Sequence, residues 1–232
     1  MAKETNTTEI FENPEVLEEK INQSEEFLKK NKVLLGGALV GIIALIVGVF
    51  FYQNNQSEKE AESQLAIYKA QYYFGIDSLN LALAGNEDFS GFEDIASSYS
   101  GTKAGNLASF YIGLIAYEQG EFDKAAEAMS KYETEAFIIS ARASAVAGDA
   151  YVELGNNAKA IEYYNKAAND MPNEQFTPRY LFKLATAYEA ENKFDDAVMT
   201  YQKIISEYPG YTKVDDAKKY LARASVVAAK NK

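Results

Sequence analysis

Ala108–Met129 reads ASFYIGLIAYEQGEFDKAAEAM, and the pattern returns at residues 143–164 as ASAVAGDAYVELGNNAKAIEYY and at 180–201 as YLFKLATAYEAENKFDDAVMTY. A small residue recurs at Gly113, Gly148 and Ala185, a turn residue at Gly120, Gly155 and Asn192, and a second small residue at Ala125, Ala160 and Ala197. Each series steps by 35 and then by 37 residues. A period of that length belongs to stacked helix pairs, because one pair cannot bury its apolar face alone and must lean on the next. The small residues fit the places where paired helices cross closely. Gly or Asn at the turn fits a short connection that needs left-handed backbone. The fold class expected is all-α, a helical-repeat solenoid.

These residues resemble the tetratricopeptide repeat, whose pattern runs W-x2-L-G-x2-Y, then A-x3-F, then P. The second repeat carries Ala147-Gly148, Tyr151, Ala160, Tyr164 and Pro172; the third carries Leu184-Ala185, Tyr188, Ala197, Tyr201 and Pro209. The first has Ile112-Gly113, Ala125 and Met129 but lacks the Tyr and the final Pro, and all three replace the Trp, by Ser109, Ser144 and Leu181. The resemblance covers residues 104–209. Before it, Ala61, Leu65, Tyr68 and Tyr72 recur at helical spacing, Leu79–Ala84 ends at Gly85, and Phe92–Tyr99 ends at Gly101, so residues 58–100 are expected to continue the stack as further helices. After it, Ala217, Tyr220, Leu221, Ala224 and Val227 form one apolar stripe with Lys218, Lys219 and Arg223 off it, as a terminal cap requires.

Upstream, Val33–Tyr52 reads VLLGGALVGIIALIVGVFFY, twenty residues without a charge. As a helix rising about 1.5 Å per residue it crosses the roughly 30 Å hydrocarbon core, so a single transmembrane helix is expected to precede the solenoid. A polar stretch of 32 residues before it, and no small-residue cleavage pattern after it, favour an uncleaved anchor over a secretory signal. Lys20, Lys29, Lys30 and Lys32 lie in the fifteen positions before the span and only Lys59 in the fifteen after it, which keeps the N-terminus in the cytoplasm. The domain layout expected is a cytoplasmic tail at 1–32, an anchor at 33–52, and a linker with degenerate helices at 53–103. Three repeats at 104–209 and a capping helix at 210–232 complete it. Within the tail, Pro14 to Lys32 fits a short amphipathic helix with Val16, Leu17, Ile21, Phe27 and Leu28. Gly37 and Gly41 form a small-xxx-small step that suits docking of a second membrane helix, although glycine is also simply common in such helices.

The 232 residues carry 23 Lys plus Arg against 34 Asp plus Glu, a net charge of −11, and Arg occurs only at Arg142, Arg179 and Arg223. Neutralising phosphates needs a dense basic face, so no nucleic-acid partner is expected. There is no Cys and no His, which removes thiolate nucleophiles, disulfides and the commonest general base and metal ligand. No G-x-x-x-x-G-K-[ST] loop occurs. Adjacent acids such as Glu87-Asp88, Asp195-Asp196 and Asp215-Asp216 are the nearest thing to an acid–base constellation, and at turns or first helical turns they serve as caps. A non-enzymatic chain with no cofactor, no metal and no small-molecule substrate is expected. A carboxylate-only hydrolase would need two acids about 5–10 Å apart across a cleft.

In such a solenoid the first helix of each pair lines the inner surface. The outward positions are Phe110, Leu114 and Tyr117 in the first repeat, Arg142, Asp149 and Val152 in the second, and Arg179, Phe182, Lys183, Thr186 and Glu189 in the third. An extended polypeptide suits this mixture: aromatic faces take side chains and polar groups take main chain or charge. The alternative is that Phe110 and Tyr117 pack under preceding helices and the arginines are surface ion-pair partners. Arg179 and Lys183 fall at two positions of the carboxylate clamp of cytosolic tetratricopeptide co-chaperones, but Phe110, Leu114 and Val146 fill the other three, so a clamp is not expected.

Tail, anchor and outer repeats together resemble the ancillary Sec translocon subunit family, the YfgM-like membrane-anchored tetratricopeptide proteins of bacteria. The shared features are Phe27-Leu28-Lys29-Lys30-Asn31-Lys32 before the anchor, the Tyr99-Ser100-Gly101-Thr102 turn, and Phe176-Thr177-Pro178-Arg179-Tyr180 opening the third repeat. The resemblance implies a bacterial inner-membrane protein with a periplasmic repeat domain. It would sit beside the protein-conducting channel, with periplasmic folding factors or exported chains as partners. The alternatives are an envelope assembly or cell-division scaffold and, with orientation reversed, an organellar import receptor.

Overall fold

The computed structural model describes residues 14–132, 134–170 and 172–230. Residues 1–13 of the expected tail, and the side chains of Val16 and Leu17, lie outside the described residues. The chain divides into two compact units, residues 1–57 and 58–232. Helix α1 runs Pro14–Gly75, so residues 53–57, expected as a linker, are helical. Its apolar stretch is long enough to cross a membrane, and none of its most apolar window is buried in protein. A core helix of a soluble protein would hide those side chains.

In the second unit, α2 (Leu79–Ala84) leads into a hairpin of β1 (Gly85–Asn86) and β2 (Phe89–Ser90), which the sequence reading did not foresee. Its turn is held by the Asp88 N–H donating to Asn86 Oδ1 at 2.9 Å. Then follow α3 (Phe92–Ser98), α4 (Lys103–Glu118), α5 (Phe122–Lys131), α6 (Phe137–Glu153), α7 (Asn157–Asn169), α8 (Thr177–Ala190), α9 (Phe194–Glu207) and α10 (Val214–Lys230). From α3 to α10 each helix packs chiefly on its neighbours in sequence, with α4 also touching α6, as stacked pairs must. The three repeats are thus α4–α5, α6–α7 and α8–α9, and α10 caps them. Ala217 and Ala224 of α10 are fully buried while Lys218, Lys219 and Arg223 are exposed, as the terminal stripe predicted.

The repeat register is visible in the turns. Gly120, Gly155 and Asn192 adopt φ of 78°, 71° and 58°, the left-handed region that costs glycine least. In each, the next amide reaches back across the turn: Glu121 to the Ala116 carbonyl (2.8 Å), Asn156 to Tyr151 (2.8 Å) and Lys193 to Tyr188 (2.9 Å). These bonds satisfy carbonyls that a helix end otherwise leaves open. Helix α4 starts at the Tyr99–Thr102 turn, where buried Thr102 accepts from the Gly105 N–H at 3.0 Å and donates to the Tyr99 carbonyl at 2.8 Å.

Ala61, Leu65, Tyr68 and Tyr72 lie on a helix as their spacing predicts, but all four are exposed. The buried face of α1 is instead Ser63, Ile67 and Ala70, with Ala66, Tyr73 and Phe74 packed against Phe92, Ile95, Ala104 and Ala108. Both stripes have helical spacing, and only the position of α3 and α4 decides between them.

Within a pair, the small residue admits a large side chain from the second helix. A Cβ added at Gly148 would stand 2.6 Å from Tyr164 Cε1 and 2.7 Å from its Cδ1, whereas at Gly113 the nearest atom is the flexible end of Met129, at 2.9 Å. Gly148→Ala is therefore expected to lower unfolding free energy by about 1–3 kcal/mol, since a rigid ring in a packed interface cannot yield. Gly113→Ala should cost less than Gly148→Ala, because Met129 repacks and Ala favours helix, leaving only the Ala128 Cβ, 3.2 Å away, to give by a few tenths of an ångström. Urea unfolding followed by circular dichroism checks this, and equal losses at the two sites would contradict the crossing geometry.

Candidate functional site

The face built by the first helices of the repeats is organised by two polar clasps that cross repeat boundaries. Tyr164 on α7 donates to Asp149 Oδ1 on α6 at 2.6 Å, and the same carboxylate accepts from Lys183 Nζ on α8, also at 2.6 Å. One repeat later, Tyr201 on α9 donates to Glu189 Oε1 on α8 at 2.8 Å, while Arg223 Nη2 of the cap donates to Glu189 Oε2 at 2.7 Å. Each clasp is a tyrosine and an acid from one repeat plus a cation from the next element. The acids are well enclosed, with side-chain exposure of 19% for Asp149 and 12% for Glu189. In the first repeat the corresponding positions, 35 residues earlier, are Met129 and Leu114, and both are in the core. An apolar pair there replaces a hydrogen-bonded one, which leaves no polar group unpaired.

The expected lining residues divide accordingly. Phe110 and Leu114 are buried, 4% and 7% exposed, in a cluster with Met129, Tyr132, Ala143 and Ala147, so their assignment to an outward surface is corrected. The second repeat and Phe74 of α1 cover them, which one period read in isolation does not reveal. Tyr117 is half-buried against Phe122, their ring centroids 5.6 Å apart. Phe182 packs between Tyr201 and Tyr220, at 5.6 and 5.4 Å. Asp149, Lys183 and Glu189 are drawn into the clasps. Arg142, Val152, Arg179 and Thr186 remain exposed, Arg142 lying 5.9 Å over the Phe110 ring. The exposed charge at these positions is therefore cationic, in a protein that is acidic overall. In the other unit, a Cβ at Gly37 or Gly41 would meet nothing within 4 Å.

The sequence reading missed Tyr164, Tyr201 and Arg223 as polar partners. The signal was available: both tyrosines stand 37 residues apart where the repeat pattern has Phe, and a hydroxyl there must find an acceptor. It also missed an opening beside α4. A cleft of about 880 Å³ is lined by Thr102, Gly105, Asn106, Ser109, Tyr132 and Ile139 among others, and an adjoining one of about 440 Å³ shares Asn106, Ser109 and Tyr132. Ser109 holds the position of the pattern's Trp, so a small side chain stands where an indole would fill space.

The acid pairs sit as expected. Glu87-Asp88 forms the hairpin turn, and Asp195-Asp196 and Asp215-Asp216 occupy the first turns of α9 and α10, where carboxylates complement the helix dipole. Among the described residues no group of three carboxylates is placed to hold a metal ion.

Residues 89–187 match the family model described as a tetratricopeptide repeat-like domain, and residues 179–211 match the tetratricopeptide repeat. No curated protein matches the chain.

Burial, then the charge of its acid partner and the hydrogen bond to it, hold the phenols of Tyr164 and Tyr201 protonated far above the ordinary tyrosine range. Unfolding restores a pKa of about 10, so above that pH the unfolded chain binds fewer protons and stability falls. Stability is expected to be flat toward pH 10 and to decline beyond it. Tyr164→Phe should cost about 1 kcal/mol at neutral pH and make the alkaline decline shallower. Denaturant midpoints from pH 7 to 11 check this; an unchanged alkaline slope in the Phe variant would contradict the assignment.

Proposed function

We propose, from the premise that the chain is a tetratricopeptide repeat protein and hence a protein-interaction scaffold, that it works at the protein-export channel of a bacterial inner membrane. Residues 33–52 span the bilayer once, residues 1–32 lie in the cytoplasm, and the repeats face the periplasm. There they hold emerging chains or folding factors beside the channel. The lysine excess before the span supports the orientation, and the order of tail, anchor and repeats supports the site of action.

One observation carries the binding surface: Asp149 and Glu189 are consumed by internal clasps, while Arg142, Arg179, Val152 and Thr186 stay exposed on the first helices. Such a face offers cations and short apolar patches to carbonyls, carboxylates and side chains of an extended polypeptide. Gly37 and Gly41 give the anchor a flat surface on which a channel helix can lie.

Full-length protein purified from membranes in mild detergent is expected to bring the protein-conducting channel with it, and a Gly37→Leu, Gly41→Leu variant to lose the channel while staying in the membrane. Mass spectrometry of both preparations reads the result. Recovery of division or outer-envelope assembly proteins in place of the channel would overturn the export role.

A further inference from the structure

The part of α1 from residue 58 to 75 has two apolar faces, and the repeat domain covers one. Ser63, Ala66, Ile67, Ala70, Tyr73 and Phe74 turn inward. On the other side Leu65, Tyr68 and Tyr72 are 80%, 71% and 59% exposed. Ala61, Leu65, Tyr68 and Tyr72 step by 4, 3 and 4 residues, the recurrence of a coiled-coil seam. With Leu65 and Tyr72 at heptad position a, Ala61 and Tyr68 fall at d, and the inward residues all fall at b, c and f. The two faces are therefore separate, and the exposed one has the geometry that another helix fills.

We propose that this seam pairs in parallel with the same seam of a second copy of the chain. A parallel pair stacks a on a and d on d, so Leu65 meets Leu65 and each tyrosine its counterpart, and no charged residue occupies the seam from 61 to 72. Gln64 at g faces Lys69 at e of the other copy, and Ser57 faces Glu62, so no like charges flank the seam from 61 to 72; Glu58, one turn earlier at a, marks its open end, where the two copies' carboxylates meet in solvent. Lys69 is also drawn aside, its ammonium donating to the Asp88 carbonyl at 3.1 Å. The parallel sense rests on the reading that residues 33–52 hold every copy in one bilayer in one orientation.

Two heptads are short, and an isolated helix of that length is marginal in water. Here the helix is already formed and backed by Ile67, Ala70 and Phe74, so pairing carries no cost of helix formation and orders only the exposed seam side chains. Confinement to a membrane raises the effective concentration of one seam for another.

The chain contains no cysteine, so single substitutions report contact cleanly. Full-length protein in membrane vesicles is oxidised with copper phenanthroline after Leu65→Cys, Tyr68→Cys or Tyr72→Cys. Exposed Lys59→Cys at heptad position b and exposed Ser206→Cys on α9 serve as controls. The three seam variants are expected to give covalent dimer several-fold above both controls, and adding Leu65→Glu to Tyr72→Cys to return it to the control level. Equal cross-linking at all five positions, adducts with another protein alone, or a dimer indifferent to Leu65→Glu would each overturn the proposal. Alkaline extraction of the same vesicles reads anchoring separately. Release of the chain would sink the membrane reading, while the cross-linking pattern would still decide the seam.

Discussion

The ring of Tyr164 lies across Gly148, closer than any side chain on that residue would allow, and much of the repeat domain follows from this contact. A crossing so tight fixes α7 against α6. It carries the phenol hydroxyl to Asp149, whose other contact is with the following repeat through Lys183. A packing constraint inside one pair thus becomes an electrostatic link between pairs. The polar link recurs at Tyr201, Glu189 and Arg223, with Ala185 in place of the glycine and the cap taking the part of a fourth repeat. In the first repeat Met129 and Leu114 keep the packing and drop the polar link, so an apolar pair stands at those two positions.

This arrangement decides what the surface can offer. An acid that accepts from both a tyrosine and a lysine has little capacity left for a partner. The cations of the first helices that are not so engaged, Arg142 and Arg179, stay in solvent. A strongly acidic chain thereby keeps two exposed arginines, Arg142 and Arg179, on the first helices of its second and third repeats.

The repeat was legible in the sequence because its requirements are local. Gly120, Gly155 and Asn192 mark left-handed turns, and Gly113 and Gly148 mark close crossings, each answering to a single backbone position. For outward-looking positions the sequence left Phe110 open between surface and burial and did not show the burial of Leu114, because burial depends on which element arrives from elsewhere. Phe110 and Leu114 read as surface in the period of α4 alone and are covered by the second repeat and by Phe74. The two apolar stripes of residues 58–75 have equal helical spacing, so periodicity could not say that Ile67 and Ala70 face inward and Leu65 and Tyr68 outward. The hairpin at 85–90 is too short to show a strand period, and its Asn86-to-Asp88 bond appears only once the chain has turned.

Clasps tie successive repeats together, and a double-mutant cycle of Asp149→Asn and Lys183→Met, read by denaturant unfolding, measures that link. Lys183 keeps 36% of its side chain in solvent, so the expected coupling is favourable and on the order of 1 kcal/mol rather than the larger value of a fully buried pair. Additive effects of the two substitutions would contradict it, leaving the repeats joined by apolar packing alone.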